Sequence, residues 1–233
     1  EDAPAKEKDY PGNPGWFEQW QIMKGDVPPG HAHKIREQQR SAFRSTGNLS
    51  NVVEIGPVNV GGRTRALMID RADSNHILAG GVSGGLWESY DRGQSWNPVN
   101  DFNASLSITD ITQNPFNPDI IYYSTGEAAG NSAGISGEGI YKSTDRGKTF
   151  NLLPASLVSA FDYTWRIKHS LTDSNTIYIG TKSNGLYRST DGGSTFDQVF
   201  NAGQITDVEP FPDGGIMIGS RVIGVFYSPS GAP

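Results

Sequence analysis

The sequence predicts an all-β fold of the β-propeller class, built from four-stranded antiparallel blades. An octapeptide pattern, Ser-x-Asp-x-Gly-x-(Ser/Thr)-(Trp/Phe), occurs at residues 89–96, 143–150 and 189–196. Short β-branched or aromatic segments precede each copy, and turn residues bound them. The 29 glycines and 14 prolines suit a chain with many turns. Because the pattern returns after 54 and then 46 residues, it indicates a repeat architecture rather than a sandwich, whose strands do not repeat in sequence.

Each octapeptide is predicted to form a tight turn between two strands. Asp side chains bond the backbone two residues further on, and Gly supplies the positive φ that such turns need. The seventh-position Ser or Thr can hydrogen-bond within the turn, and the eighth-position aromatic residue starts the next strand and buries a large apolar surface. The predicted structural residues are Ser89, Asp91, Gly93, Ser95, Trp96, Ser143, Asp145, Gly147, Thr149, Phe150, Ser189, Asp191, Gly193, Thr195 and Phe196.

Three strands are expected before each octapeptide, and a fourth unit is incomplete. The first strands are 65–69, 107–111, 165–169 and 205–208; the second strands are 77–80, 120–124, 177–180 and 216–219; the third strands are 85–89, 139–143, 185–189 and 224–228. About four blades are therefore expected, the last without its fourth strand. Because open sheet edges are a liability, we expect these blades to be part of a larger ring. A closed four-bladed ring is the alternative, with Val52–Ile55 as the missing strand.

The chain is expected to divide at residue 50. Residues 1–50 form a polar tail and a helical arm, with apolar residues at helical spacing in 16–23 and an amphipathic pattern in 31–43. The arm packs against a blade or docks a partner. Residues 51–233 form the propeller blades.

Composition excludes several classes of function. The net charge of −6 and the pI near 5.2 give no basic field for nucleic acid. No apolar stretch is long enough for a membrane span. Cysteine is absent, so there is no disulfide or thiolate metal site, and His31 and His33 lack a third ligand. Neither a metal nor another cofactor is predicted. The first residue is Glu1 rather than Met, from which we expect an exported protein with its signal peptide removed.

The octapeptide resembles the Asp-box of bacterial neuraminidase (BNR) repeats, found in sialidases, xyloglucanases and sortilin-like propellers. More narrowly, 55–67 and 81–87 look like the first blade of large secreted bacterial sortilin-like propellers, 125–143 is similar to their second blade, and 16–20 to their leader segment. The resemblance covers residues 16–230. It implies Asp-boxes with a structural role on the rim and, through the type IX sorting domain of many such proteins, export by that system. The expected sorting domain is absent here.

Enzyme activity would require two carboxylates flanking a sugar, one with a raised pKa. The acids on or beside the first strands, near the expected channel, are Asp70, Asp110, Asp162 and Asp207; a turn or strand-end role is the simpler interpretation of each. Sialidases grip a carboxylate with several arginines. Arg63, Arg65 and Arg166 are too few to assign such a site, and no Arg-Ile-Pro signature precedes the first octapeptide, so no catalytic residue is assigned.

Candidate ligand-binding residues are Glu127 and Glu138, at the two ends of the Gly-rich loop 126–139, together with Arg63 and Arg65. Long loops on rigid scaffolds often carry function, although this loop could be a plain connector. We therefore predict a secreted or cell-surface propeller that binds a protein or polysaccharide or serves as a structural module, with secretion-machinery proteins as possible partners. A polysaccharide-active glycoside hydrolase is the alternative.

Overall fold

The computed structural model describes residues 62–99, 103–128, 134–201 and 203–231. These residues form four antiparallel sheets, in which strands consecutive in sequence are neighbours. The predicted all-β fold of four-stranded antiparallel blades is confirmed. The predicted tail, helical arm and the segment 52–55 lie outside the described residues.

The strands follow the predicted order in every blade. Blade 1 consists of β1 (Thr64–Ile69), β2 (Ile77–Gly81), β3 (Leu86–Ser89) and β4 (Asn97–Pro98). Blade 2 consists of β5 (Ile108–Gln113), β6 (Ile121–Thr125), β7 (Ile140–Ser143) and β8 (Asn151–Leu152). Blade 3 consists of β9 (Thr164–His169), β10 (Ile177–Thr181), β11 (Leu186–Ser189) and β12 (Asp197–Phe200). Blade 4, within 203–231, consists of β13 (Ile205–Pro210), β14 (Ile216–Ser220) and β15 (Gly224–Ser228).

Each blade has a front face toward the next blade and a back face toward the preceding one. The front face of blade 1, with Ala66, Leu78 and Leu86, shares a core with Tyr123 and Phe150 on the back face of blade 2. Two similar cores join blades 2 and 3 and blades 3 and 4. Side chains alternate between faces along each strand, so every inner blade contributes to two cores.

Aromatic residues of the back faces anchor these cores. In blade 2, Tyr123 stacks on Tyr141 with ring centroids 4.8 Å apart, and Phe150 meets Tyr123 edge-on at 4.9 Å. On the back face of blade 3, Tyr187 meets Phe161, which comes from the connection between blades 2 and 3, edge-on at 4.9 Å. Aromatic pairs of this geometry contribute about 0.5–1.5 kcal/mol beyond the area they bury. They fix how one blade sits on the next.

The two ends of the blades differ. One end, here called the mouth, carries the starts of the first strands and the loops between second and third strands. Backbone bonds join these parts: Val82 N–H donates to Arg63 O (2.9 Å) and Lys182 N–H to Tyr163 O (2.9 Å). Two short 3₁₀ helices, Pro154–Ser156 and Ser159–Phe161, lead from blade 2 to blade 3.

The opposite end, here called the turn end, carries the octapeptide turns and the turns joining first and second strands. These two sets of turns are also joined by backbone bonds. Gly192 N–H donates to Asn175 O at 2.8 Å, and Arg146 N–H to Asp119 O at 2.9 Å.

None of the helices in the described part of the chain has the length and apolar character that crossing a bilayer requires.

Candidate functional site

The octapeptide turns share one hydrogen-bond pattern in all three copies. In the first, Ser89 Oγ accepts from Gly93 N–H (2.7 Å) and donates to Asp91 Oδ1 (2.8 Å). Asp91 then accepts from the backbone N–H of Ser95 (2.8 Å) and from its hydroxyl (2.6 Å). The second and third copies repeat these bonds within 0.1 Å. Each turn is therefore stabilised by its own side chains.

The aspartate acts differently from the expectation. The Asp91 carboxylate accepts from the N–H of Ser95, four residues further on. The bond that spans two residues is made by Ser89 instead, whose Oγ accepts from Asp91 N–H (3.3 Å). In the first octapeptide, positions four and five, Arg92 and Gly93, both have positive φ (63° and 86°). With two consecutive residues in this conformation, the backbone brings the N–H of Ser95 to the Asp91 carboxylate. Hydrogen bonds from Ser95 and Ser89 lower the pKa of Asp91 to about 2.

The eighth-position aromatic residues also depart from the expectation. The fourth strands start one residue after them, at Asn97, Asn151 and Asp197. Phe150 is buried with 8% of its surface exposed, whereas Trp96 is 38% exposed. Trp96 lies on the back face of blade 1, which no described blade covers.

The octapeptide turn of one blade also bonds the preceding blade. Gly192 O, at position four of the third turn, accepts from Tyr122 Oη (3.1 Å) and Lys142 Nζ (3.0 Å) of blade 2. Gly231 O, at the same place after β15, accepts from Tyr178 Oη (3.2 Å) and Arg188 Nη1 (3.0 Å) of blade 3. The turns therefore contribute to the contacts between blades.

The second turn bonds blade 1 by a different chemistry. Its position four is Arg146, whose Nε donates to Asp70 Oδ2 at 2.5 Å. Asp70 also bonds His76 Nδ1 (3.0 Å) and accepts from Gln113 Nε2 (3.0 Å). Burial alone would raise the pKa of Asp70, but the bonds from Arg146, Gln113 and His76 bring it well below its usual range. Asp70 thus belongs to an interblade ion pair at the turn end, which agrees with the simpler interpretation, a turn or strand-end role, and not with a catalytic place near the channel.

At the mouth, each first strand carries a register shift at its second residue, as in a β-bulge. A bulge leaves one residue unpaired and turns its side chain away from the regular alternation. The four bulge residues are Arg65, Thr109, Trp165 and Thr206.

Two of the bulge residues meet across blade 2. The Arg65 guanidinium lies over the Trp165 ring, 5.1 Å from its centroid. Arg63 forms an ion pair with Glu127, and Glu127 and Arg166 are close enough to affect Arg65 electrostatically. Burial lowers the pKa of Arg65, Glu127 raises it, and Arg166 and Arg63 lower it, although a guanidinium remains charged at physiological pH. Within the described residues, the Arg65 guanidinium has no hydrogen-bond acceptor or ion-pair partner.

A row of alternating charges continues along the first strands. Arg166 Nε donates to Asp207 Oδ1 at 2.9 Å, and its Nη1 lies 3.8 Å from Asp110 Oδ1. Asp110 Oδ2 accepts from Ile167 N–H (3.1 Å). Burial raises the pKa of Asp110, while the bond from Ile167 and the charge of Arg166 oppose that rise. Arg166 therefore links acids of two other blades.

The loop 126–139 contributes two more acids at the mouth. Glu127 N–H donates to Ile135 O (2.7 Å), and its carboxylate is committed to Arg63. Glu138 is buried, and its N–H donates to Thr125 Oγ1 (2.8 Å). Asp162 O accepts from Gly137 N–H (2.6 Å), and burial raises the pKa of the Asp162 carboxyl to about 6.

Sequence reasoning missed Trp165 and Arg146. Trp165 is one residue of a predicted strand, and only the bulge brings it to Arg65. Arg146 occupies a variable position of the octapeptide, so the pattern gave it no weight. Position four of the octapeptides is Arg92, Arg146 and Gly192. The change from arginine to glycine was the signal in the sequence that this position makes a different contact in different blades.

Residues 84–204, just over half of the chain, match the Sortilin-Vps10 family, described as "Sortilin, neurotensin receptor 3". No curated protein matches the sequence.

Three solved structures illustrate the likeness of fold. A GH74 enzyme of Niastella koreensis aligns with a TM-score of 0.59 at 21% identity, over 74% of this chain and 29% of that one. The GH74 xyloglucanase of Xanthomonas campestris aligns with a TM-score of 0.55 at 19% identity, over 73% of this chain and 30% of the xyloglucanase. YCF48 of Cyanidioschyzon merolae aligns with a TM-score of 0.52 at 15% identity, over 74% of this chain and 57% of YCF48. The chain spans less than a third of both hydrolases, and at these identities the likeness is one of fold.

Proposed function

The chain belongs to the Sortilin-Vps10 family, and we propose that it is an exported β-propeller that binds an acidic polysaccharide at the mouth of its blades. Arg63, Arg65 and Glu127 form the binding surface, and Glu138 and the loop 126–139 border it. The octapeptides act as structural Asp-boxes that hold the blades together. The division predicted from the sequence, into an arm over 1–50 and propeller blades over 51–233, is part of the proposal.

One observation carries this proposal: the Arg65 guanidinium is half-buried and has no acceptor among the described residues. A guanidinium that lies over an aromatic ring uses its face for that contact and keeps the N–H groups at its edge available for a carboxylate. Arg63 and Arg166 lie beside it but each is paired with an acid, so within the described residues Arg65 is the member of this group without such a partner. A desolvated cation without an acidic partner is costly, and a carboxylate ligand would offset that cost.

The polar surroundings favour a polysaccharide over a protein. Carboxylates stand beside the arginines: Glu127 at Arg63, and Asp110 and Asp207 at Arg166. A uronate unit has one carboxylate, which accepts hydrogen bonds from an arginine. The hydroxyl groups around it can donate hydrogen bonds to the neighbouring Asp and Glu side chains. A protein-binding face would instead be expected to present aromatic and apolar side chains in its centre. A protein is therefore the alternative ligand for this surface.

Binding to polygalacturonate measured by calorimetry tests the proposal, with neutral xyloglucan and poly-glutamate as comparison polymers. We expect Arg65→Gln to weaken polygalacturonate binding about tenfold or more, since a charge-assisted bidentate contact is lost. Arg71→Gln, at the turn end, is the matched control and should leave binding unchanged. Equal binding of xyloglucan, or equal effects of the two variants, contradicts the proposal. Tighter binding of poly-glutamate would transfer the site to a protein ligand.

Export is proposed from the resemblance to secreted propellers, and it makes the type IX machinery a possible transient partner. Fractionation of the source cells tests this point. The protein should be found at the cell surface or in the medium, and deletion of the secretion system should retain it in the periplasm. Accumulation in the cytoplasm contradicts export.

Hydrolysis of a polysaccharide is another candidate, because burial raises the pKa of Asp162 to about 6, and a carboxyl group that keeps its proton in mildly acidic solution suits a general acid. The other mouth acids are less suitable, since Glu127, Asp110 and Asp207 each face an arginine. Reducing-sugar release from acidic and neutral polysaccharides, with Asp162→Asn as the variant, tests this candidate. If Asp162→Asn releases reducing sugar as fast as the unmodified chain, Asp162 is not the general acid.

A further inference from the structure

A second cation lies over an aromatic ring at the mouth, in the same manner as Arg65. Lys182 Nζ lies 4.6 Å from the centroid of the Tyr163 ring. Lys182 is partly buried, and within the described residues its ammonium has no hydrogen-bond acceptor and no ion-pair partner. Two cations of the mouth are therefore held by rings, Arg65 by Trp165 and Lys182 by Tyr163.

The repeat explains how blade 3 forms this contact. In every blade, a residue of the loop between the second and third strands donates its N–H to the carbonyl two residues before the bulge, at 2.9–3.1 Å. The loop residues are Val82, Gly126, Lys182 and Arg221, and the residues whose carbonyls accept are Arg63, Ser107, Tyr163 and Gln204. Among these four blades, blade 3 is the one that combines a cation in the loop with an aromatic ring at the start of the first strand.

Both rings belong to one short segment around the start of β9. Tyr163 and Trp165 are two residues apart, a separation of at most about 7 Å along an extended chain. Each cation lies within 5.1 Å of the centroid of its own ring. A ligand that extends over this segment can therefore contact Arg65 and Lys182 together.

The loop 126–139 connects Tyr163 to the surface that is proposed above to bind a uronate. Ser136 of this loop bonds the Tyr163 side chain, and Glu127 of the same loop pairs with Arg63. The loop thus restrains the Tyr163 ring next to that surface, and the ring in turn restricts Lys182.

No acid neutralises Lys182 within the described residues. Asp162 precedes Tyr163 in sequence, and the charge of Asp162 acts on the Tyr163 hydroxyl. Burial raises the pKa of Asp162 to about 6, and no ion pair joins it to Lys182 in the described part of the chain. Lys182 is therefore, like Arg65, a cation whose charge an acidic ligand can neutralise.

The two cations suit two carboxylates of one ligand. An arginine binds a carboxylate through two parallel N–H bonds, whereas a lysine ammonium is a point charge with three donors and tolerates more carboxylate orientations. We propose, on the basis of the polysaccharide-binding function above, that the mouth binds two uronate units of one polymer, with one carboxylate at Arg65 and the other at Lys182. Tyr163 is the positioning residue that holds Lys182. The preferred ligand is then a polyuronate, in which neighbouring units all carry carboxylates, rather than a polymer with isolated uronates.

Two oligosaccharides with backbones of equal length separate the roles of the two cations. Tetragalacturonate carries a carboxylate on every unit, whereas xylotetraose with a single glucuronate side group carries one. We expect Lys182→Gln to raise the dissociation constant of tetragalacturonate about three- to fivefold, as for a partly exposed ion pair, and to leave that of the singly charged oligosaccharide unchanged. Arg65→Gln should weaken binding of both. NMR titration measures these affinities, and Lys148→Gln, an exposed lysine of the second octapeptide turn, is the matched control that should change neither.

The outcomes separate this proposal from the function on which it rests. If Arg65→Gln weakens tetragalacturonate binding and Lys182→Gln does not, the second carboxylate is not at Lys182, and this proposal is overturned while polysaccharide binding stands. Equal losses for the two oligosaccharides in Lys182→Gln, or an equal loss in Lys148→Gln, also overturn it. If tetragalacturonate does not bind to the unmodified chain, both proposals fail.

Paired substitutions test the positioning role of Tyr163. Tyr163→Phe keeps the ring beside Lys182 and should bind tetragalacturonate like the unmodified chain. Tyr163→Leu removes the ring and should lose about as much affinity as Lys182→Gln, with no further loss when the two changes are combined. The singly charged oligosaccharide should bind all of these variants equally, which a general loss of folding would not allow. Equal losses in Tyr163→Phe and Tyr163→Leu would overturn the role of the ring.

Discussion

Replacing Arg146 by Met is the most direct test of the interblade ion pair. Asp70 is 2% exposed, and its carboxylate accepts its shortest bond from Arg146, at 2.5 Å. Removing one partner of a buried pair costs about 3–5 kcal/mol. Asp70 keeps its bonds to Gln113, His76 and the N–H of Ala72, and Arg146 is partly exposed. We therefore expect the lower limit, about 3 kcal/mol.

The assay is urea unfolding followed by tryptophan fluorescence, with a double-mutant cycle. Arg146→Met and Asp70→Asn are measured singly and together, and the coupling between them should be about 1.5–3 kcal/mol, as for a hydrogen bond to a charged group. Arg92→Met is the matched control at the same turn position in blade 1 and should cost less than about 0.5 kcal/mol. A cost for Arg146→Met as small as that of the control would refute the reasoning.

Three further predictions follow from the turns and loops. Gly185→Ala should destabilise the chain more than Gly85→Ala. The two glycines have nearly the same φ, 73° and 74°, but only a Cβ at Gly185 would lie 2.0 Å from a backbone oxygen, Phe200 O. Equal losses of stability in thermal melts would contradict this steric explanation. Tyr122→Phe should cost about 1 kcal/mol through the lost bond to Gly192 O, whereas Tyr187→Phe serves as the control with no loss. The folded pKa of Asp91 and Asp191 is about 2 against an ordinary 3.8, so their contribution to stability is full above about pH 4 and is lost as the pH falls toward 2. The double variant Asp91→Asn, Asp191→Asn should flatten the acid side of the stability profile, and an unchanged profile would mean that other carboxylates dominate it.

The strand pattern could be predicted from the sequence because it depends on local features. Each unit repeats the same alternation and ends in turn residues, so an error in one blade is corrected by the others. The eighth-position aromatic residues show the limit of this reasoning. Trp96 and Phe150 have the same local sequence environment, but one is exposed and the other buried, because only blade 2 has a described neighbour on its back face.

The candidate site was predictable only in part. Arg63, Arg65 and Glu127 were chosen as charged residues near first strands and a long loop, and the structure brings them together. Trp165 could not be predicted, since its approach to Arg65 depends on register shifts in two strands that are 100 residues apart in sequence. Asp70 has the turn role that was the simpler interpretation of the sequence. Its side-chain partners Arg146 and Gln113 come from blade 2, which no local pattern indicates.

The two ends of the blades obey different constraints, and this difference is the reason for proposing the site at the mouth. At the turn end the same Ser, Asp and Gly recur, since the hydrogen bonds of the turn require those residues. At the mouth the bulge residue differs in every blade: Arg65, Thr109, Trp165 and Thr206. The bulge itself recurs, so the backbone is a common scaffold, but its side chains make different contacts. Thr109 and Thr206 donate to the backbone carbonyls of Gly126 and Gly219 within their own blades, whereas Arg65 meets Trp165 across blade 2. Arg65 is therefore the charged bulge residue, and its polar atoms have no partner within its own blade among the described residues, which is why we place the proposed site beside it.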